Sequence, residues 1–338
     1  TSICADKLLA YPDIIDLLSK DFAILDWDYW THNDNPTKIM NWNTLKMVDR
    51  DEISKSSPEM KKFIESVSFD ENGNIIPFAY SRYFSKKGFN VIGLCSTASV
   101  GPDCNWVPQY DVHIPNIEFF CKSIKKYGGL GIINTAWERF LFELTYYGII
   151  YCSEQCWSEV PDTVETYNKK FVKLFYGIDD LSIIEWQYRI SRPFVIVEKK
   201  YPRVYKLEEY GRIPKTVFEI AQDLELKENI LGAQKAYAAA ADKVKWNKYN
   251  LEEWILGSKV RWFWYEVTRC YAEAAKNPEN EKDINDNICY LDSHLSKLRA
   301  DITSLLSKTM PEKALEIKTT VFFNLYEELK REMKTREF

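Results

Sequence analysis

Two short segments hold the residues best suited to chemistry. One reads Ile24-Leu25-Asp26-Trp27-Asp28-Tyr29-Trp30 and the other Ile132-Ile133-Asn134-Thr135-Ala136-Trp137-Glu138. Each is an apolar run that ends in a Trp and a carboxylate, so Trp27 with Asp28 and Trp137 with Glu138 occupy equivalent places. Tyr29 adjoins the first pair. Asp6 follows another apolar run, and Trp106 lies with Asp103 in a Gly- and Pro-containing loop, residues 98–110. An indole face stacks on the C–H face of a pyranose while a neighbouring carboxylate accepts bonds from its hydroxyls. The pattern predicts substrate contacts from Trp27, Asp28, Tyr29, Trp137, Glu138, Asp6 and Trp106. For one Trp alone a wedge in the core is the simpler reading; the repeat at two segment ends favours a ligand site.

Other reactive residues form weaker patterns. His32, His113 and His294 lack the spacing of a metal site or a catalytic triad. Ser96 and Ser99 are not set in a nucleophile elbow. Gly128-Gly129-x-Gly131 precedes an apolar run instead of following one, so it reads as a helix stop and not a phosphate loop. The eight cysteines include no Cys-x-x-Cys pair, and Cys152 with Cys156 has no His or further Cys close by in sequence. No metal and no cofactor is expected, and the thiols read as reduced core residues.

The elements that must position these residues alternate in type. Residues 2–5, 22–27, 90–96 and 130–135 read as strands. Helical patterns lie between and after them at 12–19, from Ser57-Pro58-Glu59, at 77–87, at 114–127 and at 142–157. Such alternation predicts parallel β-α units, whose ligands sit at the carboxyl ends of the strands. Four units fill residues 1–159, which is half of an eight-unit (β/α) barrel. Residues 160–213 read as a mainly helical connection, with a capping box from Asp162 and Glu165, a stop at Gly177 and a strand at 194–197. Residues 214–338 read as an α-helical bundle domain. Asn250 and Glu253 are expected to cap one of its helices, and the Trp262–Tyr265 run reads as core. Ile284, Ile288, Leu291, Leu295, Leu298, Ile302 and Leu305 form the seam of another helix.

Composition sets the outer limits. The chain has 338 residues, 46% hydrophobic and 28% charged, enough apolar material for a sizeable core. A net charge of −5 without long runs argues against a nucleic-acid partner. No apolar run approaches the ~20 residues of a membrane span, which argues against a membrane partner. Eleven Trp, 21 Tyr and 18 Phe predict either a very aromatic core or ring faces offered to a ligand.

Several of these segments together resemble glycoside hydrolase family 20, the β-N-acetylhexosaminidases, in the branch related to hexosaminidase D. The resemblance runs through Ala5-Asp6-Lys7-Leu8-Leu9, Tyr11-Pro12-Asp13, Leu25-Asp26-Trp27-Asp28-Tyr29, the 96–108 loop with Asn116, and Gly131-Ile132-Ile133-Asn134-Thr135-Ala136-Trp137. It implies that residues 1–159 are the last four β-α units of a (β/α)8 barrel. It also implies an exo-β-N-acetylhexosaminidase that removes terminal β-linked GlcNAc or GalNAc, the substrate's acetamido oxygen acting as nucleophile. In that family an Asp-Glu pair after a buried strand orients the acetamido group and protonates the leaving oxygen. Here Asp51-Glu52 and Asp70-Glu71 do not follow a buried strand, so the acid pair is expected upstream of Thr1. The expected partners are a glycan ending in N-acetylhexosamine and the missing N-terminal half of the barrel. Two further readings stand beside this one, a non-catalytic carbohydrate-binding relative and a helical protein-interaction module.

Overall fold

A computed structural model describes residues 1–44, 46–98, 107–137, 141–191 and 217–336. The chain is a mixed α/β protein in which a parallel four-stranded sheet with its helices precedes a long helical part. The strands are β1 (Ser2–Cys4), β2 (Ala23–Trp27), β5 (Asn90–Ala98) and β6 (Gly131–Ala136). They lie in the order β1-β2-β5-β6, every pairing parallel. All four fall where the apolar runs predict. Burial alternates along β2 and the first half of β5: Ile24 and Asp26 on β2, and Val91, Gly93 and Cys95 on β5, are covered by helices. Their neighbours Leu25, Ile92 and Leu94 are only half-buried.

Helix α1 (Ala5–Ala10) follows β1 directly, and residues Pro12–Leu17 form a 3-10 turn where a longer helix was expected. A β-hairpin of β3 (Ile39–Asn41) and β4 (Lys46–Val48) then interrupts the β-α pattern. It was not foreseen, because three-residue strands are too short to show a period. It also corrects the reading that Asp51-Glu52 does not follow a buried strand, since β4 precedes the pair with Met47 and Val48 buried. That pair belongs to α2 (Arg50–Ile53), where Glu52 completes a capping box with Asp49. Asp70 sits in a turn, its carboxylate accepting from the Asn72 and Asn74 amides.

Ser57 caps α3 (Pro58–Ser68) through the Met60 amide, as its sequence predicts. Helix α4 (Ala79–Lys86) packs behind β2 and β5. Helix α5 (Tyr110–Tyr127) begins a turn before the expected start and holds Pro115 inside. Gly128, at φ 73°, ends it in the left-handed conformation that glycine adopts without a Cβ clash. A 3-10 turn leads into α6 (Tyr146–Trp157).

Helix α7 (Val164–Phe171) is capped by Thr163, which accepts from the Thr166 amide; this corrects the expected Asp162–Glu165 box. A π turn, Val172–Tyr176, closes at Gly177 and leads to α8 (Ser182–Ile190). The expected strand at 194–197 lies outside the described residues. Helices α9 (Val217–Ala221), α10 (Leu224–Ala240), α11 (Lys248–Lys276), α12 (Glu281–Leu306) and α13 (Glu312–Thr335) complete the chain. The α12 seam is buried as predicted through Ile302, after which Leu306 replaces Leu305 as the inward residue.

Asn250 and Glu253 do not cap a helix; both lie inside α11. Asn250 donates to the Glu143 carbonyl and accepts from the Tyr176 hydroxyl, while Glu253 accepts from the Glu143 amide. The two residues therefore fasten α11 to the turn that enters α6. Tyr110, Tyr147 and Trp254 interlock in the same region, with Tyr110 and Tyr147 stacked at 4.8 Å and Tyr110 edge-on to Trp254 at 5.7 Å. Much of the aromatic excess is thus core, and the Trp262–Tyr265 run contributes Phe263, Trp264 and Tyr265 to it. No helix among the described residues is long and apolar enough to cross a membrane.

Candidate functional site

The carboxyl ends of β2, β5 and β6 bring two of the predicted segments together. Trp27 ends β2, and Tyr29 lies 5.2 Å from it, ring centre to ring centre. Trp137 follows β6, anchored by a 2.8 Å bond from its amide to the Ala98 carbonyl. Its indole Nε1 donates to the Tyr29 hydroxyl at 3.0 Å. Tyr29 is buried, whereas Trp137 keeps 46% of its surface exposed. The result is an immobilised, half-exposed ring at the end of a parallel sheet.

The turn beneath this ring is fixed by Asp28. One carboxylate oxygen accepts from the Trp30 and Thr31 amides at 2.9 Å, and the other from the Thr31 hydroxyl at 2.6 Å. From α5, Asn116 donates to the carbonyls of Asp28 and Thr31 at 3.0 and 2.8 Å. The short polar segment between strand and hairpin is therefore held from both sides. Trp42 of the hairpin closes the cluster, edge-on to Trp27 at 4.3 Å. His32 holds its ring against the Trp30 carbonyl at 2.7 Å.

Asp6, on α1 directly after β1, stands at the same end of the sheet, with Oδ1 buried. Glu138 and Trp106, with Asp103, lie outside the described residues. Trp27, Asp28 and Tyr29 at the end of β2 are thus joined to Trp137 at the end of β6.

Asp26 is a feature that the sequence reading passed over. It points away from the open face, towards the helices, and its carboxylate accepts from Ser81 on α4 at 2.5 Å. Burial pushes its carboxyl up to about 7, with the charge of Asp28 adding to the rise and the Ser81 bond opposing it. Strict alternation along β2 was the available signal: if Trp27 faces the open side, Asp26 faces the core. Beside it lies a cavity of about 30 Å³, lined by Trp27, Lys38, Trp42, Phe78 and Tyr80 among others. That is room for about one water and not for a sugar ring.

A second feature corrects the sequence reading of the cysteines. Cys152 and Cys156 do have companions: Cys121 lies 3.6 Å from Cys156 and Cys95 lies 3.7 Å from Cys152, sulfur to sulfur. Separations of 35 and 57 residues are closed only by the packing of α5 on β5 and of α6 on α5, which no local spacing reveals.

Comparison with known proteins returns little. No family model matches the chain, and no curated protein does. Among solved structures it is similar to a GH138 enzyme targeting pectin rhamnogalacturonan II, at 11% identity and a TM-score of 0.43. The match covers 98% of this chain and 56% of that one, so the chain spans little more than half the length of that enzyme. The expected exo-β-N-acetylhexosaminidase function is corrected here. No model of that family or of any other matches the chain, and the solved enzyme found belongs to a different glycoside hydrolase family.

Proposed function

We propose that the strand ends carrying Trp27, Tyr29 and Trp137 form a carbohydrate-binding face, in a chain that supplies part of the (β/α) barrel of a glycoside hydrolase. The observation that carries this reading is the Trp137 indole, half-exposed yet tied by Nε1 to the buried Tyr29. A ring fixed in this way loses little freedom when a pyranose stacks on it, so contact area converts efficiently into affinity. Asp28 positions the turn, and Asp6, at the same end of the sheet, offers a carboxylate for hydroxyl recognition.

The sheet itself supports the barrel part of the reading. Within the described residues, β1 and β6 each pair with one neighbour only, leaving parallel edges of the kind that proteins usually cover. The face bearing Leu25, Ile92, Leu94 and Ile133 is half-buried to exposed, although in a closed barrel such residues fill the centre. Further β-α units, pairing with both edges, are the occupant of matching shape and chemistry.

Titration of the chain with neutral and uronic oligosaccharides, followed by tryptophan fluorescence, tests the binding face. Saturable quenching in the parent chain that is lost in Trp137→Ala supports it. An unchanged response in Trp137→Ala, or no response to any oligosaccharide, rejects it.

A further inference from the structure

We propose that Cys95, Cys121, Cys152 and Cys156 form a structural zinc site that staples helices α5 and α6 to strand β5. The four residues are far apart in sequence and sit on three different elements. Cys95 projects from the helix-covered face of β5, Cys121 lies in the second half of α5, and Cys152 and Cys156 stand one turn apart on α6. The i, i+4 spacing on α6 sets the last two thiols on one face of that helix, the face turned towards α5.

The distances suit one metal ion. A tetrahedral zinc with four sulfurs at about 2.3 Å places those sulfurs about 3.8 Å from each other. Here Cys121–Cys156 is 3.6 Å and Cys95–Cys152 is 3.7 Å. The sulfurs of Cys121, Cys152 and Cys156 all lie within 4.8 Å of one another. Cys95 touches Cys152 but stands outside that group of three, so turning its side chain towards the group is what completes a tetrahedral set.

The chemistry of the surroundings agrees. Four thiolates and one zinc carry a net charge of −2, and binding releases the four thiol protons. Lys125 places its ammonium near Cys156 while bonding the Gln155 and Ser158 carbonyls at 2.8 and 2.7 Å. Asn134 on β6 accepts from the Thr97 hydroxyl at 2.8 Å, and its Nδ2 is buried near Cys152 without a hydrogen-bond partner. An outer N–H aimed at a ligand sulfur is the support that thiolate metal sites ordinarily have. Cys95, Cys121 and Cys152 are buried while Cys156 is exposed, so one ligand stands at the surface where a metal can enter.

The decisive experiment measures metal in the full chain, purified under reducing conditions without chelator and then dialysed against zinc and buffer. The proposal expects one zinc per chain. Cobalt in its place should give thiolate-to-metal charge-transfer absorption and the strong visible bands of tetrahedral sulfur ligation. Cys156→Ser, a change at an exposed position, should lower zinc affinity at least tenfold while the chain stays folded by circular dichroism. Cys121→Ser provides a second, independent variant with the same expectation. Substoichiometric zinc after loading, or equal zinc retention in both variants, would overturn the proposal. So would a thiol titration showing these four residues joined as two disulfides in the freshly isolated chain.

Discussion

The indole Nε1 of Trp137 donates to the hydroxyl of Tyr29 at 3.0 Å, and this bond joins the ends of β6 and β2 across the intervening β5. It couples an exposed ring to a buried one. What the surface offers a ligand is therefore set by the sheet and not by a flexible loop.

Tyr29→Phe isolates that coupling. The phenyl ring keeps the packing against Trp27 and loses the hydroxyl, with its bonds to Trp137 and Thr135. A hydrogen bond of this kind is worth about 1 kcal/mol, so carbohydrate affinity should fall roughly fivefold. Thermal stability should move little. Calorimetric titration of the two proteins checks this, and equal affinities would detach Tyr29 from the site.

Asp26 gives the chain an unusual response to pH. Its carboxyl rises from the ordinary 3.8 to about 7 on folding, because burial disfavours the charged form. Between those values the folded state holds a proton that the unfolded state has released. Stability therefore falls as pH rises through that window, by at most about 4 kcal/mol. The groups around the carboxyl are Asp28, Ser81 and Tyr80, and Lys38 lines the adjoining cavity. Asp26→Asn should raise the melting temperature at pH 8 and change it little at pH 4. A lower melting temperature at pH 8 would show that the charged form is stabilised after all.

Glu253 behaves in the same sense on a different element. Burial and the charge of Glu143 push its carboxyl from 4.5 up to about 8, while the Glu143 and Leu144 amides oppose the rise. Glu253→Gln retains an oxygen for the Glu143 amide and removes the charge. Denaturant titration at pH 9 should find this variant more stable than the parent, the gap closing by pH 5.

Gly93 tests the packing of β5 against α5. A Cβ there would stand 2.7 Å from Ile132, 2.8 Å from Ile124 and 2.9 Å from Phe120. Three side chains would have to give at once, so Gly93→Ala should destabilise by about 1–3 kcal/mol, read from denaturant unfolding. Wild-type stability in this variant would mean that the strand and helix are not in close contact.

The strands were readable because each of the four is an apolar run bounded by breakers. The helix stops at Gly128 and Gly177 were readable because glycine alone adopts their backbone freely. The hairpin of residues 39–48 escaped notice because its strands span three residues each. Asn250 and Glu253 looked like a cap, since a cap and a pair of buried tertiary contacts use the same residue types. At the strand ends, repetition of a local pattern singled out Trp27 and Trp137, which stand at the ends of β2 and β6 with Tyr29 in contact with both. The cysteine cluster could not be found in that way. Its members meet only after β5, α5 and α6 have packed.

The most direct measurement is calorimetric titration of the chain and of Trp137→Ala with oligosaccharides selected on a glycan array. A carbohydrate-binding face built on Trp137 predicts saturable binding by the parent chain. It also predicts at least a tenfold loss in the variant, with both proteins folded to the same extent. Equal affinity in parent and variant, or an array on which the folded parent binds nothing, would contradict it.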